Sequence, residues 1–208
     1  MDNVRSPHNT PLLSELVRRA QSGDDNAFDQ LAGGYRAAVL AVTFSHVGNL
    51  EDAEDLAQET LIRAREKLPT LKEPDAFPAW LKMIALNACR TWYRRSRPWP
   101  ESLDATCDSE PIPDPDPQPL EALLQKERQR EWRRALVTLP AANRLALLMS
   151  VWGEYSYEDI ASFVGVPVTT VVGRIYRAKT QLRRILRSKA AELLGEPRRQ
   201  WKQEDDTE

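Results

Sequence analysis

The chain has 208 residues, 41% hydrophobic and 29% charged, with a formal net charge of −2, which suits a soluble protein of one or two domains, each with its own core. No apolar run approaches the ~20 residues of a membrane span and the N-terminus lacks a signal-peptide core, so no membrane insertion and a cytoplasmic location are expected. Cys89 and Cys107 have no CxxC or Cys/His ligand spacing, so no zinc site, disulfide framework or cofactor is expected.

Residues 1–11 are polar, interrupted by Pro7 and Pro11, and read as loose. A short helix follows from Leu12 to Gln21, with Leu13, Leu16 and Val17 on one side. Gly23 breaks it, and Asp24 caps a longer helix through about Val47 whose apolar positions include Phe28, Leu31, Tyr35, Val39, Val42 and Phe44. The Gly33-Gly34 pair weakens that helix by roughly 1 kcal/mol each relative to Ala, so a close crossing or a kink is expected there.

Asn49 starts a third helix, with Asp52 placed to close a capping box. Ala53, Leu56, Ala57, Thr60, Leu61, Ala64 and Leu68 form its buried stripe. The opposite stripe is Asp52, Asp55, Glu59, Ile62 and Glu66, with Gln58 beside it. An apolar Ile62 in an acidic row suits a protein-docking surface; a solvated acidic face near a helix N-terminus explains the same pattern. Pro69 ends this helix, and a loop with Asp75 as cap leads into a fourth. There Trp80, Leu81, Ile84, Ala88 and Trp92 point inward, while Asn87, Arg90, Thr91, Arg94, Arg95 and Arg97 face solvent or nucleic acid. Aromatic and basic residues interleaved beside an Asn suit single-stranded DNA, whose bases stack and whose phosphates need cations.

From Pro98 to Pro119 the chain changes character. The run PIPDPDPQP cannot make helical or sheet ladders and reads as a polyproline-like or disordered linker. Seven acids stand between Arg97 and Glu121, masking in the total a basic C-terminal part. An amphipathic helix with Leu120, Leu123, Leu124, Trp132, Leu136 and Leu139 inward follows, and Pro140 starts another through about Trp152. The tail after Gly195 is polar and reads as disordered.

The most informative stretch is Glu154 to Leu186. Ser156 caps a helix, with Asp159 completing an S-x-x-D box. Ile160, Ala161, Phe163 and Val164 point inward, and Gly165 ends the helix. Pro167 suits the first position of the next helix, where its missing N–H has no partner to lose. Val171, Ile175, Ala178, Leu182 and Ile185 then recur every three or four residues. Thr170, Val172, Gly173, Tyr176, Arg177 and Thr180 lie on the other face. From Arg174 to Lys189 there are seven bases and no acid. A helix-turn-helix with a basic second helix is built to enter the DNA major groove. An enzyme is disfavoured, since His8 and His46 are isolated and no acid–base pair or phosphate loop stands out.

Four pieces in order add up to a family: GDDNAFDQL, EDAEDLAQETLIRA, AFPAWLKMIALNACRTWYRR and LPAANRLALLMSVWGEYSYEDIASFVGVPVTTVVGRIYRAK. The chain resembles a bacterial extracytoplasmic-function (group IV) sigma factor. The resemblance implies an all-α fold of two helical domains, sigma region 2 over residues 12–97 and sigma region 4 over 120–190, joined by the proline-rich linker 98–119. It implies that Asp55, Gln58, Glu59 and Ile62 dock on the β′ coiled coil of core RNA polymerase. Thr70 to Pro78, with Asn87 and Arg90, would melt the promoter −10 element and capture a base, with Arg94 on the same DNA-facing side. Arg174 would contact phosphate, while Thr170, Val172, Gly173, Tyr176 and Arg177 would face the −35 element. An anti-sigma factor is a candidate further partner. Three positions depart from the family: Val172 stands where Lys or Arg is common, Gly173 where Ser is commoner, and Thr91 where Asp is common. An apolar Val172 can touch a thymine methyl but cannot bond guanine bidentately. The alternatives are a two-domain helix-turn-helix regulator that does not depend on polymerase, and a sigma-mimicking protein that titrates an anti-sigma factor.

Overall fold

The computed structural model describes residues 10–96, 130–153 and 155–193, and every regular element among them is helical. The N-terminal half contains α1 (Thr10–Gln21), α2 (Asp25–Val47), α3 (Leu50–Lys67) and α4 (Phe77–Ser96). The C-terminal half contains α5 (residues 130–137), α6 (Ala141–Trp152), α7 (Tyr157–Val164) and α8 (Val168–Leu193). The linker, the positions Leu120, Leu123 and Leu124, and the polar N- and C-terminal ends lie outside the described residues.

Local chemistry sets the boundaries. Gly23 turns the chain at φ 97°, and Asp24 then accepts from the Ala27 N–H to cap α2. Arg19 bonds the same carboxylate at 2.6 Å; this, then the Ala27 N–H, holds the Asp24 carboxyl below its ordinary value. Gly48 closes α2 in the left-handed region at φ 79°, returning its N–H to the Phe44 carbonyl. Asn49 caps α3 as expected, but Asp52 does not complete a capping box. Its carboxylate instead accepts from the Asn49 side-chain amide at 2.9 Å.

The segment between α3 and α4 is not an open loop but two 3-10 turns, Leu68–Thr70 and Pro74–Ala76. Gln21 pins the first by donating to the carbonyls of Leu68 and Leu71 at 3.1 and 2.7 Å. Asp75, expected to cap α4, sits inside the second turn and accepts from the Ser14 hydroxyl of α1. The Ala76 N–H already returns to Glu73, so this turn displaces the cap.

The apolar interiors of the N-terminal and C-terminal helices meet rather than standing apart. One apolar cluster runs from Leu13 and Val17 through Tyr35 and Phe44 to Met149, Phe163 and Ile175. α2 is its axis, packing against α1, α3, α4 and α6, while α7 lies on α4 and α8. Tyr35 is fully buried, edge-on to Phe77 at 5.3 Å and stacked on Phe163 at 6.2 Å. α2 runs without interruption through the glycine pair. Tyr155, just before α7, donates to the Gly34 carbonyl at 2.5 Å, while a Cβ at Gly33 would meet open space. Trp132, expected inward, is 43% exposed, because the buried positions Ala135, Leu136 and Leu139 gather at the end of α5 that leads into α6.

Candidate nucleic-acid and partner interfaces

The helix-turn-helix forms as its sequence dictates. Asp159 N–H donates to the Ser156 hydroxyl and Ser156 N–H to the Asp159 carboxylate, both at 3.1 Å, a reciprocal capping box. Gly165 ends α7 at φ 77°, with its N–H on the Ala161 carbonyl at 2.8 Å. Pro167 sits one position earlier than expected, just before α8, its carbonyl accepting from the Thr170 and Val171 N–H groups. Replacing Ser156 by Ala removes one half of the box and is expected to cost about 1 kcal/mol in a urea titration.

Val171, Ile175, Ala178 and Leu182 are buried under α8, so its other face is turned outward. Val172 is 44% and Tyr176 70% exposed there; Arg177 is exposed, and Thr170, Gly173 and Arg174 are half-buried. Farther along, Lys179, Arg183, Arg184 and Arg187 are all exposed. The Arg177 guanidinium lies back over Gly173, where a Cβ would stand 3.4 Å from its Nη1. With a Ser at position 173, as the resemblance would favour, that resting place would be tighter.

The end of α4 carries the second group. Asn87, Arg90, Thr91, Tyr93 and Arg94 line one surface concavity of about 500 Å³. Arg90 donates to the Asn87 side-chain oxygen at 3.1 Å and Arg94 to the Thr91 hydroxyl at 3.4 Å. Two cations are thereby held beside a carboxamide in a groove open to a ligand. Tyr93, which sequence reasoning did not single out, packs edge-on against Trp92 at 5.3 Å. Its hydroxyl donates to the His46 carbonyl and ties this groove to the end of α2. A small cluster of Leu56, Ala88 and Cys89, with Val47 and Trp92 against it, supports the groove from below. Burial pushes the Cys89 thiol up to about 11, which makes it a core side chain with little thiolate.

On α3 the predicted division of faces holds. Ala53, Leu56, Ala57, Thr60 and Ala64 are buried, while Asp55, Gln58 and Ile62 are exposed, Ile62 by 55%. Glu59 is half-buried and pairs with Arg63 at 2.5 Å, so this acid is partly neutralised. The three groups thus stand on three different helices. α8 offers a basic face with exposed aromatic and aliphatic side chains, α4 a cationic groove, and α3 an acidic stripe centred on one isoleucine. Among the described residues no cluster of His, Cys, Asp and Glu could hold a metal ion, and no helix is long and apolar enough to cross a membrane.

Comparison with known proteins adds the following. Residues 31–98 match the family model Sigma-70 region 2, and residues 129–182 match Sigma-70, region 4. The chain is similar to the RNA polymerase sigma-H factor of Pseudomonas aeruginosa, 33% identical over 83% of this chain and 92% of that one. It is similar to the ECF RNA polymerase sigma factor EcfG of Rhodopseudomonas palustris, 35% identical over 80% of this chain and 91% of the relative. Among solved structures, CnrH in complex with the cytosolic domain of CnrY aligns at a TM-score of 0.56 with 26% identity, over 85% of this chain and 97% of that one.

Proposed function

Because this chain belongs to the extracytoplasmic-function group of RNA polymerase sigma factors, we propose that its three exposed faces divide the work of a promoter-specificity subunit. The acidic stripe of α3, with Asp55, Gln58, Glu59 and Ile62, docks on the basic β′ coiled coil of core polymerase. The α4 groove, with Asn87, Arg90 and Arg94, binds the −10 element and holds one unstacked base, offsetting an unstacking cost of a few kcal/mol. The α8 face reads the −35 element, with Arg174 on phosphate and Val172, Tyr176 and Arg177 toward base edges. Residues 12–97 and 120–190 act as the two promoter-binding units, with 98–119 as the tether. No covalent chemistry is assigned to this chain, whose contribution is differential binding in the cytoplasm, where the polymerase works. CnrH is seen with the cytosolic domain of CnrY, which supports proposing a polypeptide partner that withholds this chain from polymerase, an anti-sigma factor in function.

The observation that carries the reading is the order on one chain of a region 2 match and a region 4 match, each presenting an exposed face of fitting charge. Run-off transcription with purified core polymerase on a pool of promoter fragments tests it. RNA that depends on this chain is the expected result, and none with core polymerase present would overturn it. The two arginines of α8 separate by role. Arg177→Ala is expected to cost about 1–3 kcal/mol on the cognate site and to relax preference at one position. Arg174→Ala is expected to weaken all sequences alike and to lower the salt slope by about one. A binding-versus-salt series in which both variants behave identically would remove this assignment.

A further inference from the structure

Near its start α8 turns two rows of residues outward. Val172 and Tyr176 form one and Gly173 and Arg177 the other, the members of each pair one helical turn apart. In the first row both side chains are exposed, and Val172 carries no hydrogen-bonding group. In the second, Gly173 has no side chain at all, so the Arg177 guanidinium alone can bond a base edge from that pair.

A glycine inside a helix is an unfavourable choice, because it loses more conformational freedom than any other residue. Two common reasons for accepting one are absent at position 173. Among the described glycines the left-handed backbones belong to Gly23, Gly48 and Gly165. Nor does a neighbouring helix crowd the position. Outside the helix backbone, the three atoms nearest to a Cβ built there all come from Arg177: Nη1 at 3.4 Å, Nη2 at 3.7 Å and Cζ at 3.8 Å. The guanidinium thus lies back over bare backbone, in the direction helical side chains lean. It makes no hydrogen bond or ion pair among the described residues, so its five N–H donors stay open.

Where this fork rests decides which base pair it meets. Lying back over Gly173 displaces it about 6 Å along the helix from its own Cα, four residues at ~1.5 Å each. Successive base pairs of a duplex are only roughly 3.4 Å apart. A change of pose is therefore enough to change the base pair addressed. A fork already seated also loses less freedom on bonding than a swinging one.

We propose that Gly173 is a positioning residue that sets base preference through Arg177: its missing side chain is the seat from which the guanidinium bonds O6 and N7 of a guanine facing position 173. The seat stands on the geometry of α8; its use on DNA rests on the −35 reading above. A side chain longer than a methyl at this position evicts the fork, and Val172 offers no donor to replace it.

Gly173→Leu and Gly173→Met both fill the seat with neutral, helix-favouring side chains, so far-UV circular dichroism is expected to show helicity retained. Core polymerase carrying each full-length variant is titrated with promoter fragments in which every −35 base pair is changed in turn. Wild type is expected to favour guanine about tenfold at one position. The Leu and Met variants are expected to lose most of that ratio or to transfer it to a neighbouring base pair. Gly173→Ala, whose Cβ would only touch the guanidinium, is expected to lower it least. In an Arg177→Ala background, Gly173→Leu is expected to change the preference no further.

Leu and Met variants that keep the wild-type ratio would overturn the proposal, as would a Gly173→Leu effect of equal size without Arg177. Side-chain NMR spectra of the free chain, read at the Arg177 Nε–H, test the seat without DNA. That signal is expected to move in the Leu and Met variants, and a signal that stays put would overturn the seat itself. A moved signal with no guanine preference in wild type would overturn the use on DNA. Polymerase that gains no promoter binding from wild type would sink the sigma-factor reading, with the spectra still deciding the seat.

Discussion

Reversing two charges on α3, Asp55→Arg with Glu59→Arg, is expected to abolish capture of core polymerase while leaving the protein folded. Asp55 and Glu59 lie one helical turn apart, on the face opposite the buried Ala53, Ala57 and Ala64. Neither contributes to the apolar cluster, and exposed substitutions usually stay within about 0.5 kcal/mol. Glu59 does pair with Arg63. That contact is half-exposed and worth about 1 kcal/mol or less, and the like-charge replacement at i,i+4 costs a few tenths more. Against a basic coiled coil, two new arginines would face cations across an interface, which costs several kcal/mol and slows encounter. The double variant should therefore keep its melting temperature and the DNA binding of its α8 face, and should lose both the polymerase pull-down and transcription. Equal retention of core polymerase by wild type and variant would reduce the acidic stripe to a solvated surface.

Phe163→Ala should act quite differently, by destabilising both halves at once. Phe163 is completely buried and its ring stacks on Tyr35 of α2. Truncating a buried Phe to Ala typically costs 3–5 kcal/mol, from lost transfer energy and the cavity left behind. That is a large share of the ~5–15 kcal/mol that holds a domain of ordinary stability. Since Phe163 belongs to a cluster that also contains Leu31, Val39 and Phe44, amide exchange should accelerate in α2 as well as in α7 and α8. Faster exchange confined to α6–α8, with α2 unchanged, would show that the cluster divides into two independently stable parts.

Much of this architecture was legible because it is set locally. The caps Asp24, Asn49 and Ser156, the terminators Gly23 and Gly165, and the buried stripe of α8 each depend on residues within one or two turns. The exposed side of α3 and the basic end of α4 followed from periodicity alone. What escaped were contacts between distant segments. Asp75 serves Ser14, 61 positions away, rather than the helix beside it. Tyr155 serves Gly34 at a separation of 121 residues. Tyr93 is joined to His46 across 47. A single sequence carries the hydrogen-bonding capacity of these side chains but not their partners, so the two helical domains were legible while the way their interiors meet was not. The glycine pair came nearest to announcing such a contact, since a bare stretch of helix backbone invites a close approach, though it could not say by what.

Gly153 ends α6 with an unremarkable backbone, at φ −108°, so its conformation requires no glycine. Its neighbour does: a Cβ at this position would lie 2.1 Å from the Tyr155 ring. Within the genetic code, every amino-acid replacement reachable from a glycine codon by one base change adds at least that carbon. Heredity therefore has no gentle step here. The first substitution to arise at this position must move the tyrosine that reaches Gly34, so one nucleotide can disturb the join between α2 and the start of α7 while every residue proposed to face DNA or polymerase is left untouched.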